Sequence, residues 1–565
     1  MANLETAAAC DSKKLLRILV VVAVLLIACV SALWMISKRT LDSHECFVSV
    51  TAREVLTSGD WTMPTCNGQI RMNKTPLSYW AVAGLGKLTG TIDEFTARLP
   101  SAIFGILSAA GMFYFVSRLI SFRIAAVSTL VWVTSLGYVR ETHMARPDMA
   151  LAFFVTLCFL SFYAAMTAGN RPRQIAYSLI FWMSFSFGML AKGPAPLPLI
   201  GLPVLFYITI FRRWSVLLKL LPIAGLVIFL VIVLPWPIAI AQRVNWDLMV
   251  WKREFVDRLS GDYSRGSTPF YFYLLIMFKF MAPWVAFVPV ALLAPFYRVW
   301  DEKRKIMRFF WLCFVVNFAL LTIMPCRRQH YLLPVIPLMA ILVGIVLDDM
   351  VFSRRAFSHG FVKNIMHGHT VGLILVAIVG TVAVRVVAPA LFRAMVMLAV
   401  ATILLVVVVE VMFARGKVVP AWGMLSVGLV IWVVTLYTGH AAVFNIDRYS
   451  RDFAGQISQI VPAGEKLVAY RAISSRFVHY FGQVVPIIED KSQLQEYYDR
   501  GAWVVCTYDH LQELVPDKLF RRVYYKERPK DGKEDAGGVL LHKSASVVEE
   551  SNVGTAGSAA TLPFR

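Results

Sequence analysis

Runs of roughly 20 apolar residues recur along this 565-residue chain, the first from about Leu15 to Ile36 and the last over 420–441. At 1.5 Å rise per residue, a helix of that length matches the hydrocarbon thickness of a bilayer. Inside lipid every backbone N–H and C=O must be satisfied within its own segment, so helix is the form open to such runs. Further runs lie at 96–117, 124–141, 149–168, 175–191, 195–211, 219–240, 270–297, 309–325, 331–348, 370–386 and 389–412. The expected fold class is therefore an all-α polytopic membrane protein with about 13 transmembrane helices. The chain is 58% hydrophobic, above the roughly 45–50% of soluble domains, and the excess has lipid to face.

Charge gives the expected orientation. Lys13, Lys14 and Arg17 precede the first run and place the N-terminus, residues 1–14, in the cytoplasm. Under alternation the cytoplasmic connectors carry Arg118 and Arg123, Arg171 and Arg173, Arg212 and Arg213, Lys303 to Arg308, Arg354 and Arg355, then Arg415 and Lys417. The net charge of +21 is then explained by loops beside anionic lipid. No basic, aromatic-interleaved segment points to nucleic acid. The first run is too long for a signal peptide and lacks a small-residue cleavage site, so it reads as a retained helix.

After the last run the pattern changes. Residues 445–545 alternate short apolar strands, such as Leu467–Tyr470 and Trp503–Thr507, with amphipathic stretches, which predicts a small α/β domain. The alternation places it outside the cytoplasm. Residues 546–565, rich in Ser, Ala and Gly, read as a disordered tail. No internal repeat is present, unlike transporters built from repeated halves.

The polar interruption at 37–80 lies in the expected outer loop of the membrane domain, 15–441. Asp42, His44 and Glu45 crowd beside the end of the first apolar run, and charge beside hydrocarbon marks a candidate site. Cys46 and Cys66 share this loop and either pair or stay as free thiols. Asp148, Lys192, the charged 241–268 loop and the segment Cys326–Tyr331 fall at the same outer level. Each has a structural alternative. Asp42 and Asp148 suit helix N-caps, Lys192 before Gly193-Pro194 suits a helix end, and Lys and Arg near helix ends reach toward the interface. Chemically, a carboxylate there can accept a proton from a hydroxyl, and clustered cations can hold a phosphate.

The ordered series of motifs carries more. It runs through Glu45, Ala52-Arg53-Glu54-Val55-Leu56, Ser58-Gly59-Asp60-Trp61, Asn67-Gly68, Lys74-Thr75-Pro76-Leu77 and Tyr79-Trp80. It continues through Ala97-Arg98-Leu99-Pro100-Ser101, Arg146-Pro147-Asp148, Lys192-Gly193-Pro194 and Tyr331-Leu332-Leu333-Pro334. Over residues 15–340 the chain resembles the GT-C glycosyltransferases that use polyprenyl-phosphate sugars, in the bacterial branch of protein O-mannosyltransferases and lipid A aminoarabinose transferases.

That resemblance implies an inner-membrane glycosyltransferase that inverts the anomeric carbon of a polyprenyl-phosphate sugar donor on the outer face. The implied acceptor is a lipid A-like glycolipid, a polysaccharide or an exported protein. The family's first-loop acidic pair falls on His44 and Glu45, so Glu45, or Asp42 upstream, would serve as base with Asp148. Lys74, Lys192, Arg265, Arg328 and Tyr331 would hold the donor phosphate. Some relatives bind a metal through a glutamate where this chain has Asn73 and a histidine in the 241–268 loop. That loop has no histidine here, so no metal and no other cofactor is expected. The rival reading, a transporter or flippase of a lipid-linked anion, requires ionisable residues near mid-bilayer, and Lys279 is the main one.

Overall fold

The computed structural model describes residues 2–72, 74–244, 268–353, 358–387, 389–443, 448–514, 522–526 and 538–543. The chain divides into two compact units, 1–66 with 70–445 and 446–565 with 67–69.

The first unit is helical. It contains α1 (Ala2–Leu33), α2 (Ser43–Ser58), α3 (Leu77–Thr89), α4 (Glu94–Leu119), α5 (Phe122–Val133), α6 (Leu136–Thr142), α7 (Asp148–Thr167), α8 (Arg171–Lys192) and α9 (Pro196–Ile210). There follow α10 (Val216–Lys219), α11 (Pro222–Val233), α12 (Pro235–Ala241), α13 (Phe272–Met281), α14 (Val288–Leu293), α15 (Arg304–Ile323) and α16 (Ile336–Asp348). The last three are α17 (His359–Val387), α18 (Phe392–Ala414) and α19 (Val418–Val443). Among the described residues, nine helical segments are long and apolar enough to cross a membrane, and three bent pairs raise the number to 12. By length, α9 falls short of the thirteenth expected span: its 15 residues reach about 22 Å against a core of about 30 Å. Its flanks still join the two ends of the bundle. Gly193 N, just before α9, donates to Thr75 Oγ1 at 3.1 Å, and Lys219 O, just after it, accepts from Gln174 Nε2 at 2.8 Å.

The most buried span is α16, which packs against α5. A Cβ on Gly344 would lie 2.7 Å from Ser128 Cα, so glycine is what lets these two backbones meet. At one end of this pair Arg123 holds the buried carboxylate of Asp348.

The polar loop forms a layer over the opposite end. Helix α2 begins with a capping box: Asp42 Oδ1 accepts from Glu45 N, and Glu45 Oε2 accepts from Asp42 N. It ends at Gly59, whose φ of +70° glycine adopts without strain. A short hairpin follows, β1 (Thr65–Cys66) with β2 (Gln69–Ile70). The loop is fastened where Trp80 Nε1 donates to Trp61 O (2.7 Å), Trp236 Nε1 to Thr62 O (3.0 Å) and Arg243 Nη1 to Asp60 Oδ2 (2.7 Å).

The second unit is α/β, as the alternating pattern predicts. Its sheet runs β4 (Ile487–Ile488), β3 (Leu467–Tyr470), β5 (Trp503–Thr507), β7 (Gly538–Leu541), β6 (Arg522–Lys526). The β4-β3-β5 pairs are parallel and those of β7 antiparallel. Successive side chains of a strand point to opposite faces, and both faces are covered. Leu467 and Ala469 pack under Phe453, Ile457 and Phe477, while Val468 and Tyr470 pack under Leu494 and Tyr498. The tail read as disordered lies outside the described residues.

Candidate active site

The site is built outward from Glu45. This carboxylate is fully buried, and α2 begins so that its side chain turns back under the loop. Arg98 of α4 donates Nε to Oε1 at 2.7 Å and Nη2 to Oε2 at 3.0 Å. Arg39 Nη2 (2.8 Å) and Asp42 N (2.9 Å) also reach Oε2, and Ala145 N (2.9 Å) reaches Oε1. A carboxylate offers about four lone-pair positions, so Glu45 is saturated. Burial alone would push its carboxyl up, but Arg98 and Arg39 hold it well below the usual range. Arg98 spends its other protons on the carbonyls of Ile36, Arg39 and Thr40. Glu45 is thereby tied into the scaffold beside Asp42 and His44.

Those neighbours face outward. Asp42 Oδ2 accepts from Arg146 Nη2 while its side chain stays partly open to solvent. Burial works against the charge on Arg146, but Asp42, then Glu141 and Asp148, outweigh it and keep the guanidinium charged. His44 is exposed, and its ring centroid lies 6.5 Å from that of Phe47. Lost solvation first, then Arg146, Arg328 and Arg71, lower its pKa, with Asp42 opposing. Arg71 lies over the Phe47 ring at 4.0 Å.

A second pair comes from the membrane helices. Asp148, in the first turn of α7, is the partner of Lys192 at the end of α8. Both placements suit the helix dipole, with an acid at an N-terminus and a cation at a C-terminus. Lys192 Nζ also lies 4.7 Å from the Tyr331 ring centroid. His330 and Arg146 lie within electrostatic reach of Asp148. The Arg328 backbone is fixed by Tyr273 Oη at 3.3 Å, and among the described residues its guanidinium has no hydrogen-bond or ion-pair partner. Asp42, His44, Arg71, Arg146, Asp148, Lys192, Arg328 and Tyr331 thus come together at one end of the bundle. Lys74 is half-buried. Arg265 and Asn73 lie outside the described residues. Cys46 and Cys66 remain free thiols, so the disulfide alternative is not taken.

Three members escape the sequence reading. Arg98 and Arg146 stand there inside motifs without a role. Glu141, on α6, is fully buried with Oε1 on Arg140 and, among the described residues, Oε2 without a partner, in the field of Asp148, Arg146 and Lys192. Its short helix follows a sharp bend of 60° after α5. The apolar run 124–141 hides that bend and with it the turn of Glu141 toward the site.

Residues 49–246 match the family described as Dolichyl-phosphate-mannose-protein mannosyltransferase. A protein of Aquifex aeolicus (strain VF5) is 29% identical over 57% of this chain and 61% of its own length. The undecaprenyl phosphate-alpha-4-amino-4-deoxy-L-arabinose arabinosyl transferase of Edwardsiella ictaluri (strain 93-146) is 28% identical over 52% and 53%. The chain thus spans a little over half the length of the curated relatives it matches. The crystal structure of ArnT from Cupriavidus metallidurans bound to undecaprenyl phosphate superposes with a TM-score of 0.77 at 21% identity, covering 94% of this chain and 98% of that one. At that identity the likeness shows the fold. Over the matched segment the chain is similar to the O-mannosyltransferases and the aminoarabinose transferases, and its fold is that of ArnT.

Proposed function

We propose that this chain is an integral-membrane glycosyltransferase that moves a sugar from a polyprenyl monophosphate to an acceptor at the outer face of a bacterial inner membrane. The observation that carries the reading is the convergence of Arg146, Lys192 and Arg328 on Asp148, His44 and Asp42 at one end of an apolar bundle. A phosphate on a lipid tail would reach that depth from the side. Lys192, Arg328 and Tyr331 offset the charge that grows on the phosphate as the sugar C–O bond breaks. The acceptor oxygen attacks the opposite face of the anomeric carbon, which inverts, and its proton passes to His44 or Asp42. Glu45 and Arg98 hold those two in place. Arg123, Arg171, Arg173 and Arg304 collect at the other end of the bundle, which supports a cytoplasmic N-terminus and a site on the outer face.

The named relatives make undecaprenyl phosphate carrying 4-amino-4-deoxy-L-arabinose the first donor to try, with a lipid A-like glycolipid, a polysaccharide and an exported protein as acceptors. The test is transfer by purified protein in liposomes. A new glycosidic bond is expected, lost in Asp148→Asn and Lys192→Ala; movement of lipid-linked sugar across the bilayer with no such bond would sink the reading.

A further inference from the structure

Far from the acids, at the Arg123 end of the bundle, α5, α16 and α19 leave an apolar cleft of about 290 Å³. Val127, Leu347, Phe352, Trp422, Gly423 and Val427 line it. Three observations specify what it holds. A Cβ built on Gly423 meets nothing within 4 Å, although glycine inside a helix costs about 1 kcal/mol relative to alanine, so the helix keeps room open here. Trp422 is buried, yet among the described residues its indole N–H has no acceptor, which is an unmet demand for a polar atom in an apolar wall. The mouth is basic. Arg123 lies over the Phe352 ring at 4.7 Å with half its side chain exposed, and Arg415 and Lys417 are exposed just before α19.

We infer that this cleft is a binding site for one anionic glycerophospholipid of the leaflet at the Arg123 end. An acyl chain fills the space beside Gly423, an ester carbonyl accepts from Trp422 Nε1, and the phosphate meets Arg415 and Lys417, with Arg123, already paired to Asp348, at the rim. Trp422 lies five residues beyond Lys417, about 7.5 Å along the helix axis and on the apolar side of the basic mouth. Basic pockets between membrane helices are known to take anionic headgroups on electrostatic grounds. The site is independent of the transferase reading.

Native mass spectrometry of the full chain, purified in mild detergent and offered phosphatidylglycerol or phosphatidylcholine, tests it. One retained phosphatidylglycerol per chain is expected, with phosphatidylcholine held about tenfold more weakly. Gly423→Leu, which fills the cleft, should lose the lipid while keeping its thermal midpoint in lipid-free detergent. Val427→Trp, at the cleft rim, gives a second reading should Gly423→Leu fail to fold. The double variant Arg415→Gln, Lys417→Gln should abolish the preference for phosphatidylglycerol but keep the chain in the cleft. Equal retention of both lipids by the wild type, unchanged retention in the filled cleft, or a dimer broken by Gly423→Leu would each overturn the proposal.

Discussion

Glu45 and Arg98 meet in full burial, joined by hydrogen bonds of 2.7 and 3.0 Å. The pair binds the start of α2 to α4 and, through Ala145, to the approach to α7. Removing one member leaves the other charged and buried, which costs about 3–5 kcal/mol. Arg98→Met and Glu45→Gln should therefore lower the midpoint of thermal inactivation, and Glu45→Gln that folds should keep measurable transfer. Glu45→Gln with a wild-type midpoint and no transfer would return the base to Glu45. The sign with pH follows. The carboxyl is held low in the fold, so its contribution is present above the unfolded value of about 4.3 and is lost as pH falls through and below that range.

His44 acts in the same direction, in a higher pH window. Its folded pKa lies below the ordinary value of 6.5, so the fold favours the neutral ring. Stability tied to this group is complete above 6.5 and falls as pH drops from there through the folded value. If the neutral ring takes the acceptor proton, kcat should fall on the acid side with an inflection below 6.5, and His44→Asn should flatten that limb. A profile unchanged in His44→Asn would leave Asp42 as the base.

How much of this is legible in sequence depends on range. Apolar runs and basic connectors give twelve of the expected spans and the α/β unit, because length and local pattern decide them. The motif series marks Asp148, Lys192 and Tyr331, which the fold does bring together. What the sequence cannot supply is pairing across hundreds of residues: nothing near Glu45 announces that Arg98 saturates it, and the 60° bend that turns Glu141 inward lies within one unbroken apolar run.

Glu141 carries the third prediction. A buried carboxylate oxygen without a partner is costly, and in the field of Lys192 and Arg146 it can be met by a donor from water or substrate. Glu141→Gln keeps the shape and removes the charge. Transfer should fall about 10²-fold while the thermal midpoint holds or rises, because a buried charge is gone. A lower midpoint with unchanged kcat would make Glu141 structural only.

Gly344 tests the scaffold alone. A Cβ there would stand 2.7 Å from Ser128 Cα, which is backbone and cannot rotate away. Gly344→Ala should push α16 off α5 at a cost of about 1–3 kcal/mol, read as a lower midpoint with KM unchanged in the folded fraction.

Lys192 is the sharpest test of the chemistry. Its ammonium is shared between Asp148 and the face of Tyr331, and a fifth of its side chain is open to the site. A cation so placed can follow charge onto a leaving phosphate. Lys192→Ala should lower kcat by about 10²–10³ and also leave Asp148 buried without its partner. Lys192→Arg restores the charge but not the compact point donor, so partial recovery of kcat is expected. Tyr331→Phe keeps the ring under the ammonium and should change kcat little, whereas Tyr331→Ala removes it and should cost severalfold. If Lys192→Ala alters only stability, and Asp148→Asn restores that stability without changing transfer, the pair is structural and the phosphate must be held elsewhere.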